Sequence, residues 1–108
     1  MDGRPDTAPN PAAFHVGPGH MIVHANPPFV DEFGAAVLGQ PAREALLGLP
    51  QKAFELMDLV LSTGRPGACR IEMTAGPRRL VVAPRRDPET GETYGVTTHL
   101  RPDPTDTG

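Results

Sequence analysis

The sequence predicts an α+β fold, in which a five-stranded antiparallel sheet carries short helices and one longer helix on one face. Two observations support this. Apolar residues alternate with period two near both ends of the chain, whereas the middle has helical spacing. The 14 prolines and 12 glycines lie mostly at the boundaries between these segments, which is typical of turns and helix ends.

The first two strands are predicted at residues 13–16 and 21–25, joined by a turn cluster at residues 17–20. A four-residue turn would pair His15 with Ile22. Phe14, Val16, Val23 and Ala25 would then share the sheet face that carries the helices. We therefore expect His15 and His24 on the outer face.

The helical region begins with a capping signal. Asn26 precedes two prolines, which predicts a helix from Pro27 that ends at Gly34. Residues 35–39 and 41–48 have the length of single helical turns, each closed by a glycine.

One longer helix is predicted from Gln51 to Thr63, with Gly64 as its C-terminal cap and Pro66 preventing its continuation. Its apolar residues recur at i, i+3, i+4 and i+7, opposite a polar face. They are Ala53, Phe54, Leu56, Met57, Val60 and Leu61.

The last third of the chain predicts a three-stranded meander at residues 69–73, 79–83 and 93–100. Residues 75–77 and 87–91 contain the proline and glycine expected of the two connecting turns. We predict one domain at residues 13–101, with disordered tails at residues 1–12 and 102–108.

Composition narrows the class of protein. The net charge of −3 argues against nucleic acid as a partner, and the single cysteine excludes an internal disulfide scaffold. The sequence has neither a signal peptide nor an apolar run long enough for a membrane span, so we expect a cytoplasmic protein.

Four motifs in this order resemble those of PAS domains, small sensory modules of bacterial signalling proteins. Residues 19–29 (GHMIVHANPPF) resemble the family pattern G-x-I-x-x-A-N-P-A-F, and residues 38–41 (LGQP) resemble L-I-G-R-P. Residues 59–66 (LVLSTGRP) resemble the end of the family's long helix, and residues 87–96 resemble its D-x-x-G-x-x-x-G-V hairpin. The resemblance covers Phe14 to Arg101 and implies that the first strand lies between the second and the last.

The resemblance implies a stand-alone sensory domain that binds a small apolar ligand between the long helix and the inner sheet face. The alternative is that the same side chains pack the core without a ligand. The predicted lining residues are Phe33, Phe54, Met57, Leu61, Cys69, Ile71, Met73 and Thr98.

The resemblance leaves the cofactor unknown and disfavours two classes. The reactive cysteine of flavin-binding members precedes the long helix, whereas Cys69 follows it. Haem-binding members commonly take a histidine from the long helix or its flanks, and residues 51–64 contain none.

We predict no metal site and no catalytic residue. His20 and His24 have the H-x-x-x-H spacing of a zinc-binding helix, but they lie on a turn and a strand, where four residues span about 13 Å. The only serine is Ser62, at a helix end, and the sequence contains no nucleophile motif. We therefore expect no enzymatic activity.

The second predicted function is protein interaction through the outer sheet face, as a homodimer or with a separate signalling protein. The predicted interface residues are His15, Ile22, His24 and His99. The imidazoles of the three histidines would make the contact pH-sensitive. Arginine pairs at residues 78–79 and 85–86 are interpreted as solubilising charges. Pro102 and Pro104 argue against a helix continuing from the last strand.

Overall fold

The computed structural model describes residues 10–73 and 76–103. The predicted disorder of residues 1–9 and 104–108 therefore lies outside the described residues, as do residues 74–75 of the first meander turn. The first strand begins at Ala12 and the last strand ends at Pro102, one residue beyond each predicted domain boundary.

The predicted fold class is confirmed, and the described residues form five strands and three α-helices in the predicted order. The α-helices are α1 (Pro27–Phe33), α2 (Ala42–Ala45) and α3 (Gln51–Thr63), and a 3-10 turn lies at Ala35–Val37. The strands are β1 (Ala12–Val16), β2 (Met21–Ala25), β3 (Gly67–Met73), β4 (Gly76–Arg86) and β5 (Thr93–Pro102).

The sheet order is β2-β1-β5-β4-β3, with every neighbouring pair antiparallel. β1 lies between β2 and β5, as the resemblance implied. The inner sheet face packs against α3, and burial of the apolar side chains between them supplies the main stabilisation. This layer includes Met57, Val60, Ile71, Leu80, Val82 and Val96, all buried.

Local capping chemistry explains where α1 and α3 begin and end. The Oδ1 of Asn26 accepts hydrogen bonds from the backbone N–H of Phe29 at 3.1 Å and of Ala12 at 2.9 Å, so one side chain caps α1 and holds the start of β1. Gly64 ends α3 with φ of 70°, a left-handed conformation that a side chain would penalise.

The predicted orientation of the first hairpin is wrong at several positions. Phe14 pairs with His24 and His15 pairs with Ile22, so Val23 is an extra residue in β2 and forms a β-bulge. Val23 is 48% exposed, whereas His15 and Ile22 are fully buried on the inner face. Phe14 accordingly lies on the outer face. β1 alternates with period two as predicted, but its other face is the inner one, so Ala13 and His15 are buried where Phe14 was expected. The bulge in β2 then places Ile22 inward opposite His15 and His24 outward opposite Phe14.

Candidate functional site

A groove of about 780 Å³ opens between α1, the segment after α2, and the adjoining ends of β3 and β4. Its wall carries an ion pair between Arg78 and Glu32, whose side chains approach to 3.2 Å. Leu47 is 83% exposed at its edge. The lining residues are Pro11, Pro28, Asp31, Glu32, Phe33, Ala45, Leu47, Gly48, Met73 and Arg78.

The predicted ligand-binding residues divide between this groove and the core. Phe33 and Met73 line the groove. Phe54, Met57, Ile71 and Thr98 are buried beneath α3, and Leu61 and Cys69 are half-buried against that core. Six of the eight residues predicted to surround a ligand therefore lie in or against the core between α3 and the inner sheet face.

Two buried histidines lie under the helical layer, and sequence reasoning missed their association. The Nε2 of His15 is 2.9 Å from Thr98 Oγ1, and the Nε2 of His20 is 2.6 Å from Asp58 Oδ1. The two rings meet edge to face with centroids 6.5 Å apart. Arg43 donates to the other Asp58 oxygen at 3.0 Å. No local sequence signal joins these residues, because they come from separate elements.

Burial lowers the pKa of one member of this cluster, and hydrogen bonds lower the pKa of another. Desolvation lowers the pKa of His15 to about 4, and its ring is therefore neutral at physiological pH. Partial burial by itself would raise the pKa of Asp58, but the hydrogen bonds from His20 and Arg43 outweigh it and lower that pKa. Within the described residues, the Nδ1 atoms of His15 and His20 have no hydrogen-bond partner.

Helix α2 connects the groove with the histidine cluster. The backbone N–H of Ala42 donates to the carbonyl of His20 at 3.0 Å, and Arg43 reaches Asp58 on α3. Ala45, at the end of the same helix, lines the groove. A displacement of α2 would therefore affect the groove, the first hairpin and α3 together.

The outer sheet face carries an aromatic contact of its own. Phe14 and Tyr94 meet edge to face with centroids 6.1 Å apart, and the Arg85 guanidinium lies 5.2 Å from the centre of the Phe14 ring. His24 and His99 border a shallow depression beside Phe14. Of the four predicted interface residues, these two lie on the outer face, whereas His15 and Ile22 do not.

The single cysteine of the sequence lies after the long helix. Cys69 lies on β3, and burial raises the pKa of its thiol although Lys52 and Arg79 partly oppose this effect. A thiol with a raised pKa is a poor nucleophile. Within residues 10–73 and 76–103, no three histidine, cysteine, aspartate or glutamate side chains are grouped as metal ligands. No helix in this part of the chain has the length and apolar character needed to cross a membrane.

The architecture defines a class of fold: a five-stranded antiparallel sheet of order β2-β1-β5-β4-β3 with its helices between β2 and β3. Solved structures show the same arrangement, and the chain has the PAS fold that light-oxygen-voltage domains share. No protein-family model matches the sequence, and no curated protein matches it.

Three of these structures illustrate the similarity. A light-oxygen-voltage domain studied with a flavin analogue is 22% identical, with a TM-score of 0.64 over 93% of this chain and 82% of that one. The Vibrio cholerae VqmA dimer is 18% identical, with a TM-score of 0.69 over 94% of this chain and 50% of that one. A domain of an HTR-like protein from Haloarcula marismortui is 14% identical, with a TM-score of 0.63 over 86% of this chain and 98% of that one.

Proposed function

We propose that this chain is a sensory module that binds a small, largely apolar ligand in the groove beside Phe33 and Met73. The groove carries the proposal, since its volume of about 780 Å³ suits a small molecule. Its wall combines apolar side chains with one ion pair, Arg78 with Glu32, that could orient a polar group of the ligand. The groove lies beside the core, whereas the sequence predicted a pocket between α3 and the inner sheet face.

The surroundings of the groove support a sensory role. A ligand covering the exposed Leu47 would remove apolar surface from water and would contact the end of α2 at Ala45. Because α2 is hydrogen-bonded to the carbonyl of His20 and to Asp58, occupancy would favour one arrangement of these contacts. A ligand can shift such an equilibrium only by its difference in affinity for the two arrangements.

An anilinonaphthalene sulfonate titration tests the groove, because this dye combines an apolar ring system with one anionic group. We expect saturable fluorescence enhancement with the wild-type chain. Ala45→Trp should fill the groove and weaken binding about tenfold, equivalent to roughly 1.4 kcal/mol. The matched control is Ala35→Trp, which places the same ring at an exposed position of the 3-10 turn. Equal binding by both variants would contradict the proposal.

A second candidate function is protein interaction through the outer sheet face. Tyr94 is 43% exposed and Val23 is 48% exposed there, beside the edge-to-face contact of Phe14. Partly exposed aromatic side chains are typical of interface centres. The homodimer predicted from the sequence remains one form of this function, and sedimentation velocity over a range of concentrations tests it.

A further inference from the structure

Three arginines form a row across the outer face of β3, β4 and β5. Arg70 is paired with Arg79, and Arg79 is paired with Arg101. Each is exposed and next to a buried inward-facing residue, so all three point to the outer face. Directly opposed residues have Cβ atoms about 5 Å apart, and like charges at that separation destabilise a sheet.

The described part of the chain neutralises only one end of this arginine row. The Nε of Arg70 is 3.3 Å from a Glu72 oxygen and 3.2 Å from an Asp103 oxygen. Within residues 10–73 and 76–103, no carboxylate lies within ion-pair distance of Arg79 or Arg101. Two exposed guanidinium groups are therefore available to an external anion.

The surface beside the arginine row consists mainly of short side chains. The pairing of β3, β4, β5 and β1 places Ala68, Val81, His99 and Ala12 in the next row. Short side chains leave a shallow, partly apolar strip that a helix can approach closely. The strip lacks aromatic rings on β3 and β4, so it offers no stacking platform for single-stranded nucleic acid.

The charges on this face also disfavour a second copy of the chain. The arginine row lies at one end of the face and Arg85 lies over Phe14 toward the other end. Stacking two such faces would bring arginines against arginines, although the whole chain carries a net charge of −3. An acidic partner would meet no such repulsion.

We propose that the outer face of β3, β4 and β5 binds an acidic amphipathic helix of a partner protein. Carboxylates of that helix pair with Arg79 and Arg101, and its apolar face covers the strip around Val81. This inference rests on the second proposed function, contact through the outer face, and is independent of a ligand in the groove.

Fluorescence anisotropy with a synthetic helix tests this inference. The probe peptide repeats leucine and alanine at i, i+3, i+4 and i+7 and has glutamate elsewhere, and a comparison peptide replaces every glutamate with lysine. We expect the acidic peptide alone to bind, with affinity falling as salt rises. The R79Q/R101Q variant should bind it at least about tenfold more weakly. The matched control K52Q/R65Q removes two exposed positive charges elsewhere and should bind as the wild type does.

Thermal unfolding provides a second measurement on the same variants. R79Q/R101Q should be at least as stable as the wild type, because it relieves like-charge repulsion. The inference would be overturned if the acidic peptide failed to bind, or if both double variants bound it equally weakly. Oligouridylate serves as a single-stranded RNA probe in the same assay, and tighter binding of oligouridylate than of the acidic peptide would also overturn the inference. A concentration-dependent dimer that Tyr94→Ala disrupts, with no peptide binding, would overturn it while leaving the second proposed function intact.

Discussion

The side chains of His20 and Asp58 join the first hairpin to the long helix, with His20 Nε2 and Asp58 Oδ1 2.6 Å apart. His20 is buried and has φ of 55°, which is uncommon for a residue other than glycine. The surrounding contacts must therefore offset a backbone strain of about 1 kcal/mol. Asp58 is 49% exposed and also accepts a hydrogen bond from Arg43. It therefore links three elements: the turn that joins β1 to β2, helix α2 and helix α3.

Removing the Asp58 carboxylate should destabilise the fold through this link. We expect Asp58→Ala to lower the free energy of unfolding by about 1–2 kcal/mol, because buried His20 loses its hydrogen-bond partner. The loss is no larger because water already screens the Asp58 carboxylate, which is half-exposed in the wild type. Urea denaturation measures the change. Glu55→Ala, at an exposed position on the same helix, should change stability by less than about 0.5 kcal/mol. Equal effects of the two substitutions would show that the link contributes nothing.

Acid should destabilise the protein through His15. Its folded pKa of about 4 lies below the ordinary value of 6.5, so the unfolded chain binds a proton at a higher pH than the folded chain does. Stability is therefore lost as pH falls from about 7 towards 4 and is fully present above that range. Between about pH 7.5 and pH 5 this histidine should lower the free energy of unfolding by about 2 kcal/mol.

Replacement of the imidazole isolates this effect from other titrating groups. Between about pH 7.5 and pH 5, the free energy of unfolding should fall by about 2 kcal/mol less in His15→Gln than in the wild type. Urea denaturation of both proteins at the two pH values measures the difference. His24→Gln removes an exposed histidine and should leave the pH dependence nearly unchanged. A His15→Gln variant with the wild-type pH dependence would refute the prediction.

Gly64 should tolerate a side chain poorly for two reasons. Its φ is 70°, and an added Cβ would lie 2.9 Å from Arg86 Nη2 and 3.0 Å from Thr93 Oγ1. We expect Gly64→Ala to lower the free energy of unfolding by about 2 kcal/mol. Gly91 has a φ of 76°, but an added Cβ there would meet no atom within 4 Å. Gly91→Ala should therefore lower the free energy of unfolding by only about 1 kcal/mol, through backbone strain. Chemical denaturation of both variants separates steric crowding from strain, and similar losses would argue against crowding at Gly64.

The side chain of Asn26 should contribute more than an ordinary helix cap. It accepts hydrogen bonds from the backbone N–H of Phe29 and Ala12 and donates one to the carbonyl of Asn10 at 2.9 Å. We expect Asn26→Ala to lower the free energy of unfolding by about 2 kcal/mol. Asn26→Asp keeps the accepting oxygen, so denaturation should show a smaller loss. An equal loss in both variants would assign the effect to the donated bond.

Most of the fold was predictable, whereas little of the candidate site was. The bounds of α3 and the caps at Asn26 and Gly64 were predicted correctly, because periodicity and capping depend on residues close in the chain. Of the predicted ligand-binding residues, only Phe33 and Met73 line the groove. Which apolar residues border an open space depends on how elements pack, and their spacing does not reveal it.

The sequence by itself determined the kind and order of the elements, since turns, caps and alternation are local interactions. Tertiary structure decided which side chains share a surface. The extra residue Val23 placed Ile22 in the core and His24 on the outer face, and strand pairing aligned Arg70, Arg79 and Arg101. Both outcomes depend on strand register, which is set by packing across the whole sheet and is therefore not encoded in any single segment.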